Sequence, residues 1–327
     1  MCTAISYHAN DHYFGRNLDL HYHYHEQVTI MPRNYPLVFR KEREILSHYA
    51  TIGMATVVDG QPLYYDATNE YGLSMAGLNF PGNAVYQEEI PGMHNIAPFE
   101  LTSWVLGQCK SVQEAVNLLN NTNLLRIAFS DTLPLTPLHF MLADKDRSVV
   151  IEPMKDGLQI LDNPIGVLTN NPPFSYQMQN LQNFLNLTRE EPTNRFSKAS
   201  NLVPYSNGMG AMGLPGDLSS ASRFVRAAFT LGNALRYESE EENVSQFFHI
   251  LDVVKQTEGC VSVGNGFEKT VYSSCCNTNA GIYYYTTYFN RQITAIDMHQ
   301  QDLDGKCCIT FPLITRPHIQ YEIKGTA

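Results

Sequence analysis

The sequence contains no long apolar segment. No stretch approaches the roughly 18 consecutive apolar residues that a membrane-spanning helix requires, although 43% of the 327 residues are hydrophobic. The first residues, MCTAISYHANDHYFGRNLD, also lack the basic and apolar regions of a secretory signal. We therefore expect a globular protein of the cytoplasm, without a membrane partner.

Positive charge is scarce as well. The chain has 22 Lys and Arg against 32 Asp and Glu, which gives a formal net charge of −10. The basic residues do not form the stripe that a nucleic-acid-binding surface needs. Nucleic acid is therefore not an expected partner, and the acidity favours solubility without indicating a reaction.

The seven cysteines lack the spacing of a metal or redox motif. No CxxC occurs; the cysteines are Cys2, Cys109, Cys260 and the adjacent pairs Cys275–Cys276 and Cys307–Cys308. Adjacent cysteines on a strand point to opposite faces, so these pairs are poor ligand sets. Apart from Cys2, we expect buried, reduced thiols that act as small hydrophobic side chains.

No repeat, low-complexity tract or linker divides the chain, so we expect residues 1–327 to form one domain. Strand patterns occupy three regions: AISYH, ATIGMATVV and PLYYD; then LHFMLAD, RSVVIEP, GLQILD and IGVLTN; then KTVYSSC, GIYYYTTY, RQITAIDM and CCITFPL. Helical patterns lie at about 98–120, 174–187, 219–236 and 241–256. This order is not a regular βα alternation. It predicts an α+β fold with two mainly antiparallel sheets and outer helices.

Two features predict helix starts in the first helical region. Pro98 stands where a first helical turn tolerates proline. Ser111 and Glu114 form an S-x-x-E capping box ahead of AVNLLNN.

Cys2 is a candidate nucleophile because of its position. It follows an initiator Met, and a small second residue usually permits removal of that Met. Cys2 would then carry both a thiol and a free α-amine, and the amine can take the proton of the thiol directly or through one water. The thiolate is the competent nucleophile. Taken alone, an incidental cysteine at position 2 is the open alternative.

Arg16 and Asp19 stand three positions apart in FGRNLDL. A guanidinium can stabilise a thiolate, and a carboxylate can hold an α-amine in place. A surface or structural ion pair is the alternative interpretation of the same two residues.

Longer segments carry a family resemblance. They are MCTAISY, YFGRNLDL, YYDATNEYGLSMAGLNFPG, GVLTNNPPF, GLPGDLSSASRFVRAAF, SSCC and GIYYYTTY. Together they resemble the choloylglycine hydrolases, namely the bile salt hydrolases of gut bacteria and the related penicillin V acylases, over essentially the whole chain. The resemblance implies a four-layer αββα N-terminal-nucleophile hydrolase, without metal or organic cofactor, that forms a homotetramer.

The resemblance also implies roles for single residues. Cys2, with Met1 removed, looks like the nucleophile and its own α-amine like the base. Arg16 and Asp19 match the polar pair beside it.

Three further positions match the family's site. Asn79, in GLNFPG, matches an oxyanion-hole position that is Asn in bile salt hydrolases and typically Tyr in penicillin V acylases. Asn170, in LTNNPP, matches a second polar residue that contacts the substrate amide, and Arg223, in ASRF, matches the arginine that completes the site. Turn formation in Pro-containing loops is the alternative for the two asparagines.

A steroid-like acyl group needs a largely apolar pocket with few polar anchors. Comparison of the loops with the family suggests five lining residues: Leu18, Val58, Tyr65, Phe129 and Leu133. Ordinary core or loop packing explains the same residues equally well.

The segment Gly208–Gly213 satisfies G-x-G-x-x-G, the pattern of a dinucleotide-binding loop. That site needs an apolar strand before the motif and a helix after it. VPYSN precedes the motif and LPGD follows it, so we predict a glycine-rich loop that leads to Arg223.

His21, His23 and His25 alternate, and on a strand they would share a face and could attract a transition metal. No fourth ligand is identifiable, and the resemblance places this segment in a loop at the pocket mouth. We favour a solvated rim. If that loop borders the pocket, we expect activity to depend on pH in the range where imidazole titrates, and an unchanged pH–rate profile after replacement of all three histidines would contradict this hypothesis.

The predicted activity is hydrolysis of the amide that joins a bile acid to glycine or taurine, through a thioester on Cys2. A penicillin V acylase is the nearest alternative, and Asn79 argues against it. A non-catalytic bile-acid-binding protein on the same scaffold is an alternative of another class. A thiol redox protein is disfavoured by the lack of CxxC.

Overall fold

Two β-sheets form the centre of the molecule. The computed structural model describes residues 1–322. In the first half of the chain the strands are β1 (Cys2–His8), β2 (His12–Leu20), β3 (Gln27–Met31), β4 (Thr51–Val58), β5 (Gln61–Asn69), β6 (Ser74–Asn79), β7 (His94–Ile96), β8 (Thr122–Leu124), β9 (Leu138–Ala143), β10 (Ser148–Met154), β11 (Gly157–Asp162) and β12 (Val167–Leu168). In the second half they are β13 (Ser262–Val263), β14 (Gly266–Phe267), β15 (Lys269–Asn277), β16 (Ile282–Thr287), β17 (Thr294–Asp297) and β18 (Ile309–Pro312).

Both large sheets are antiparallel. The first sheet has the order β12-β1-β2-β15-β16-β17, and the second has the order β11-β10-β9-β6-β5-β4-β3-β18. Neighbouring strands pair antiparallel throughout; β2 pairs along the whole of β1, and β15 pairs along the whole of β16. The predicted pair of antiparallel sheets is thus confirmed.

Helices cover the outer faces of both sheets. They are α1 (Leu101–Leu106), α2 (Val112–Leu119), α3 (Phe174–Asn180), α4 (Ser220–Asn233) and α5 (Glu240–Asp252). Helices α4 and α5 pack on the first sheet, while α1 packs on β5 and β6 of the second. The layers therefore run helix, sheet, sheet, helix, as the αββα prediction requires. No helix of the described residues has both the length and the hydropathy to cross a membrane.

Two apolar cores hold these layers together. One lies between the sheets and beneath α4 and α5, and includes Ile5, Ile30 and Phe247. The other lies between the second sheet and the helices α1 and α2, and includes Trp104 and Phe140. Each fully buried side chain of this size contributes about 1.5–3 kcal/mol relative to an exposed one.

Strand β1 places Cys2 inside the molecule. Because the first sheet is covered on both faces, every residue from Cys2 to Tyr7 is buried. Thr3 faces α4, where its hydroxyl meets Arg223. Successive side chains on a strand alternate, so Cys2 points to the opposite face, toward the second sheet.

Gly15 permits β2 and β15 to lie side by side. A Cβ atom at this position would lie 2.1 Å from the carbonyl oxygen of Ser274. The FGRN sequence therefore requires glycine immediately before Arg16.

The predicted helix over 98–120 is two short helices, α1 and α2. Pro98 lies in the turn before α1, which begins at Leu101, so the prediction that Pro98 occupies the first helical turn was wrong. Ser111 caps α2 as predicted by accepting the N–H of Glu114 at 3.2 Å. The carboxylate of Glu114, however, accepts the N–H of Lys110 at 2.7 Å rather than that of Ser111.

Candidate active site

The side-chain amide of Asn170 connects three distant segments of the chain. Its Oδ1 accepts the backbone N–H of Cys2 at 2.7 Å and an N–H of Arg223 at 2.9 Å. Its Nδ2 donates to the carbonyl of Asn79 at 2.7 Å. The backbone N–H of Asn170 donates to the hydroxyl of Ser220 at 2.8 Å, which fixes the segment. Four of the predicted site residues therefore meet at one buried amide.

Arg223 is fully buried in the first turn of α4. Its Nη1 donates to the carbonyl of Cys2 and, at 2.7 Å, to the hydroxyl of Thr3. Burial lowers the pKa of Arg223, and the nearby Asp19 and Cys2 oppose that shift. The guanidinium thus places positive charge against the backbone of the predicted nucleophile.

Arg16 is also fully buried, and it extends from β2 toward the second sheet. Its Nη1 donates to the carbonyls of Tyr65, at 2.9 Å, and of Gly77. Burial acts to lower the pKa of Arg16, but the Cys2 thiol and neighbouring acidic groups raise it above its ordinary value. Its Nη2 has no hydrogen-bond partner among the described residues.

Asp19 occupies the other side of β2. Its Oδ1 accepts the hydroxyl of Thr270 at 2.6 Å, and within residues 1–322 its Oδ2 has no partner. Its backbone N–H and carbonyl each bond to Met1 at 2.9 Å. Burial raises the pKa of the Asp19 carboxyl. No ion pair joins Arg16 and Asp19, because the two side chains point to opposite faces.

Met1 is present in the structure and lies partly exposed. Its ammonium group donates to the carboxylate of Glu268, which is only 7% exposed. The nitrogen of Cys2 is here a peptide nitrogen, and Cys2 itself is 3% exposed. The α-amine that the predicted chemistry requires would therefore form only when Met1 is removed.

A second buried carboxylate, Asp66, lies between the sheets. It accepts hydroxyl hydrogen bonds from Tyr272 and Tyr283, each at 2.6 Å, and from Ser274 at 3.0 Å. Burial raises the pKa of Asp66, while Arg16 and the three hydroxyls oppose the shift. This cluster connects strands of both sheets near Arg16.

Asn79 ends β6 with an exposed side chain. Its carbonyl is bound by Asn170, as described above, so its position is fixed through the backbone. The side-chain amide of Asn79 therefore lies at the solvent edge of the cluster, where a bound substrate could reach it.

Two of the five predicted lining residues lie beside the site. Leu18 is the cross-strand partner of Cys2 and is buried. Tyr65 binds Arg16 through its carbonyl, and its hydroxyl bonds to Thr56 at 2.8 Å.

The other three predicted lining residues lie on two segments that carry none of the other predicted site residues. Val58 ends β4 and is half-buried. Phe129 and Leu133 lie between β8 and β9, and the ring of Phe129 contacts Phe99 at 5.2 Å in an edge arrangement. Among the described residues, no hydrogen bond or ring contact connects these three to Cys2, so their role as lining residues stays a prediction.

The histidines at 21, 23 and 25 lie in a loop after β2 and are exposed. His25 has a φ of 60°, so the segment is not a strand and the three imidazoles do not share a strand face. His23 lies 3.5 Å from the carboxylate of Glu26. In the part of the chain that the structure describes, no group of three His, Cys, Asp or Glu side chains could hold a metal ion.

The Gly208–Gly213 segment is a loop with one 3₁₀ turn, Met209–Ala211. Helix α4 begins only at Ser220, and its fourth residue is Arg223. The prediction of a glycine-rich loop leading to Arg223 is confirmed.

Sequence reasoning missed several residues that support the site. Thr3 and Ser220 stand within quoted motifs beside Cys2 and Arg223, so their position gave an available signal. Thr270 and Glu268 carry no motif, and only the pairing of β15 with β2 brings their segment to the N-terminus.

Known proteins are similar to this chain in both sequence and fold. Residues 2–311 match the family model described as linear amide C–N hydrolases, choloylglycine hydrolase family. A bile salt hydrolase/transferase from Lactiplantibacillus plantarum is 52% identical over 322 residues, which is 98% of this chain and 99% of the relative.

Solved structures agree with this match. A mutant of conjugated bile acid hydrolase from Clostridium perfringens superposes with a TM-score of 0.91 at 36% identity, over 98% of this chain and 99% of that chain. Penicillin V acylase from Agrobacterium tumefaciens has a TM-score of 0.75 at 19% identity, over 96% and 92% of the two chains, which shows a shared fold.

The fold and the family match first define a class. The protein is an amidohydrolase of the linear amide C–N hydrolases, with an N-terminal-nucleophile-type sandwich. Within that class, the chain belongs to the choloylglycine hydrolase family.

Proposed function

We propose that this protein is a bile salt hydrolase that cleaves the amide bond of glycine- or taurine-conjugated bile acids, with Cys2 as the nucleophile. The observation that carries the proposal is the Asn170 amide, which joins Cys2, Arg223 and Asn79 in one buried cluster. The 52% identity to a protein named bile salt hydrolase/transferase supports the substrate class.

The reaction needs a free α-amine on Cys2. After removal of Met1, that amine takes the thiol proton, and the thiolate attacks the substrate carbonyl to form a C–S bond and an oxyanion. The oxyanion collapses, the C–N bond breaks, and glycine or taurine leaves with the proton held by the α-amine. Water then attacks the thioester, the amine again takes a proton, and the bile acid and the thiol are released.

The proposed roles of the polar residues follow from their positions. Arg16 and Arg223 place positive charge beside Cys2, and this charge would pair with the thiolate that attacks the substrate. Asn79 presents an amide donor to the oxyanion, and one such donor is worth about 2.7–4 kcal/mol where it has been removed. The unpartnered Oδ2 of the Asp19 carboxyl lies close to the N-terminus and can hold the α-amine.

Side-by-side assays test the substrate. Wild type and Cys2→Ser should be compared on glycocholate, taurocholate and penicillin V, with release of the amine as the measurement. We expect wild type to cleave the bile salts in preference to penicillin V and Cys2→Ser to be inactive. Preferential cleavage of penicillin V would contradict the substrate assignment and favour the acylase alternative.

A non-catalytic bile-acid-binding protein is tested by the state of the N-terminus. Intact mass and labelling with iodoacetamide report the presence of Met1 and the reactivity of Cys2. Retention of Met1, or a Cys2 that resists labelling, would favour the binding alternative.

A transferase activity is the second candidate function, since the Lactiplantibacillus plantarum relative is named hydrolase/transferase. A thioester on Cys2 can pass its acyl group to an amine instead of water, which forms a new amide and frees the thiol. Incubation of glycocholate with excess taurine should then give taurocholate by mass spectrometry. Its absence, with hydrolysis intact, would rule out this activity for that acceptor.

The homotetramer and the cytoplasmic location stay predictions. Exposed apolar side chains in the segment 185–212 support self-assembly: Leu185, Phe196, Val203 and Tyr205 are each more than 70% exposed. Light scattering on the purified protein tests the tetramer, and cell fractionation tests the location. A monomer at micromolar concentration would contradict the assembly prediction.

A further inference from the structure

A buried imidazole and carboxylate lie next to the site without belonging to the predicted catalytic set. His139 on β9 and Glu152 on β10 are 0% and 1% exposed, and the His139 Nδ1 lies 3.2 Å from the Glu152 Oε1. A polar pair so deeply buried is costly unless its hydrogen bonds are satisfied. The residues that contact His139 and Glu152 therefore indicate the role of the pair.

The imidazole contacts both segments that carry the site asparagines. The ring of His139 stacks on Phe80, with centroids 4.2 Å apart and planes inclined by 6°. Its Nε2 lies 2.8 Å from the carbonyl oxygen of Thr169. Phe80 directly follows Asn79, and Thr169 directly precedes Asn170.

The hydrogen-bond partners of His139 determine which ring nitrogen must carry a hydrogen. A carbonyl oxygen only accepts, so the Nε2 of His139 must carry a hydrogen and donate it to Thr169. The contact between Nδ1 and the Glu152 carboxyl then needs one further proton between them, whichever atom carries it. Glu152 also accepts the N–H of Phe174 at 2.9 Å, which anchors the far end of the same loop.

We propose that His139, oriented by Glu152, is a positioning residue that holds Asn79 and Asn170 in register for acyl transfer to Cys2. The proposal rests on the proposed function, because it assigns the two asparagines to the amide-binding site. A misplacement of about 1 Å in such a site lowers the rate by ~10²-fold. The pair touches no reacting atom and acts only through the two loops.

Two reactions of Cys2 separate positioning from folding. Alkylation by iodoacetamide needs the thiolate but no oxyanion site, whereas the burst of nitrophenolate from p-nitrophenyl acetate needs acyl transfer through an oxyanion. Four variants should be compared with wild type in both reactions: His139→Leu, His139→Gln, Phe80→Leu and His12→Leu. His12 is the matched control, since it is also a buried histidine with hydrogen bonds on both nitrogens, to Ser6 and Thr278.

We expect His139→Leu to slow the acyl burst and glycocholate kcat by ~10²-fold, with KM and the alkylation rate unchanged. His139→Gln keeps a donor for Thr169 and should recover most of the rate, while Phe80→Leu should lose rate as His139→Leu does. His12→Leu should lose stability only. If His139→Leu does not fold, the positioning role is tested by the acyl burst of the other two variants, which should be nearly normal in His139→Gln and slow in Phe80→Leu.

The positioning role is overturned by a normal burst in His139→Leu or Phe80→Leu, by a parallel fall in alkylation, or by an equal loss in His12→Leu. Failure of the proposed function has a different signature. A wild type that gives the ester burst but cleaves no conjugated bile salt refutes the substrate, and the burst still decides the role of His139. A wild type that neither gives a burst nor cleaves a bile salt refutes both proposals.

Discussion

Replacement of Asn170 tests the centre of the candidate site. Asn170→Ala removes the acceptor of the Cys2 N–H and of Arg223, and the donor to the Asn79 carbonyl. These contacts hold Cys2, Arg223 and Asn79 in place, and a misplacement of about 1 Å in such a site lowers kcat by ~10²-fold. The buried guanidinium of Arg223 also loses a partner, so we expect the free energy of unfolding to fall by about 1–3 kcal/mol.

The assay is release of glycine from glycocholate, with urea unfolding measured on the same preparations. Asn170→Asp keeps the acceptor for Arg223 but lacks the amide donor, so it should recover stability and not kcat. Asn69→Ala is the matched control, because its buried amide also bonds through both atoms, to the carbonyls of Leu106 and Cys109 and to the N–H of Leu73, and none of these residues belongs to the site. An Asn170→Ala protein that is folded and keeps kcat within about tenfold of wild type would refute the assigned role.

Three further predictions concern stability. Burial holds the pKa of His12 at about 3, whereas the unfolded value is about 6.5. Between these two values only the unfolded chain binds this proton, so stability falls as pH decreases. Between about pH 6.5 and 5 the free energy of unfolding of wild type, measured in urea, should fall by ~2 kcal/mol more than that of His12→Gln. Asp66→Ala leaves three buried hydroxyls without their acceptor and should lower the unfolding free energy by ~3 kcal/mol, with Asp66→Asn less affected; equal stability of Asp66→Ala and wild type would contradict this. Ser111→Ala removes the cap of α2 and should cost about 1 kcal/mol, whereas an unchanged denaturation midpoint would show that the cap is not formed in solution.

The layer order was predictable from the sequence because strand and helix patterns occupy separate regions. The positions of individual strands were harder to predict. Strand β6 reads SMAGLN, in which small residues replace the β-branched and aromatic side chains that predict a strand. The interior position between β5 and β9, rather than local propensity, makes this segment a strand.

The predicted site residues were recognised by their motifs, and their geometry depends on contacts between distant segments. Asn170 and Arg223 meet because β12 pairs with β1 and α4 packs on it. The opposite orientation of Arg16 and Asp19 follows from strand alternation once β2 is known to continue to Leu20. Glu268 and His139 carry no local pattern, so only the tertiary structure brings them to the site.

The most direct test of the central claim is the intact mass of active protein during turnover of glycocholate, quenched in acid. We predict a chain that begins at Cys2 and a second species heavier by one cholyl group, held as a thioester that hydroxylamine releases. The Cys2→Ser protein should not form a thioester. An active enzyme that keeps Met1, or a Cys2→Ser protein with wild-type turnover, would contradict the account.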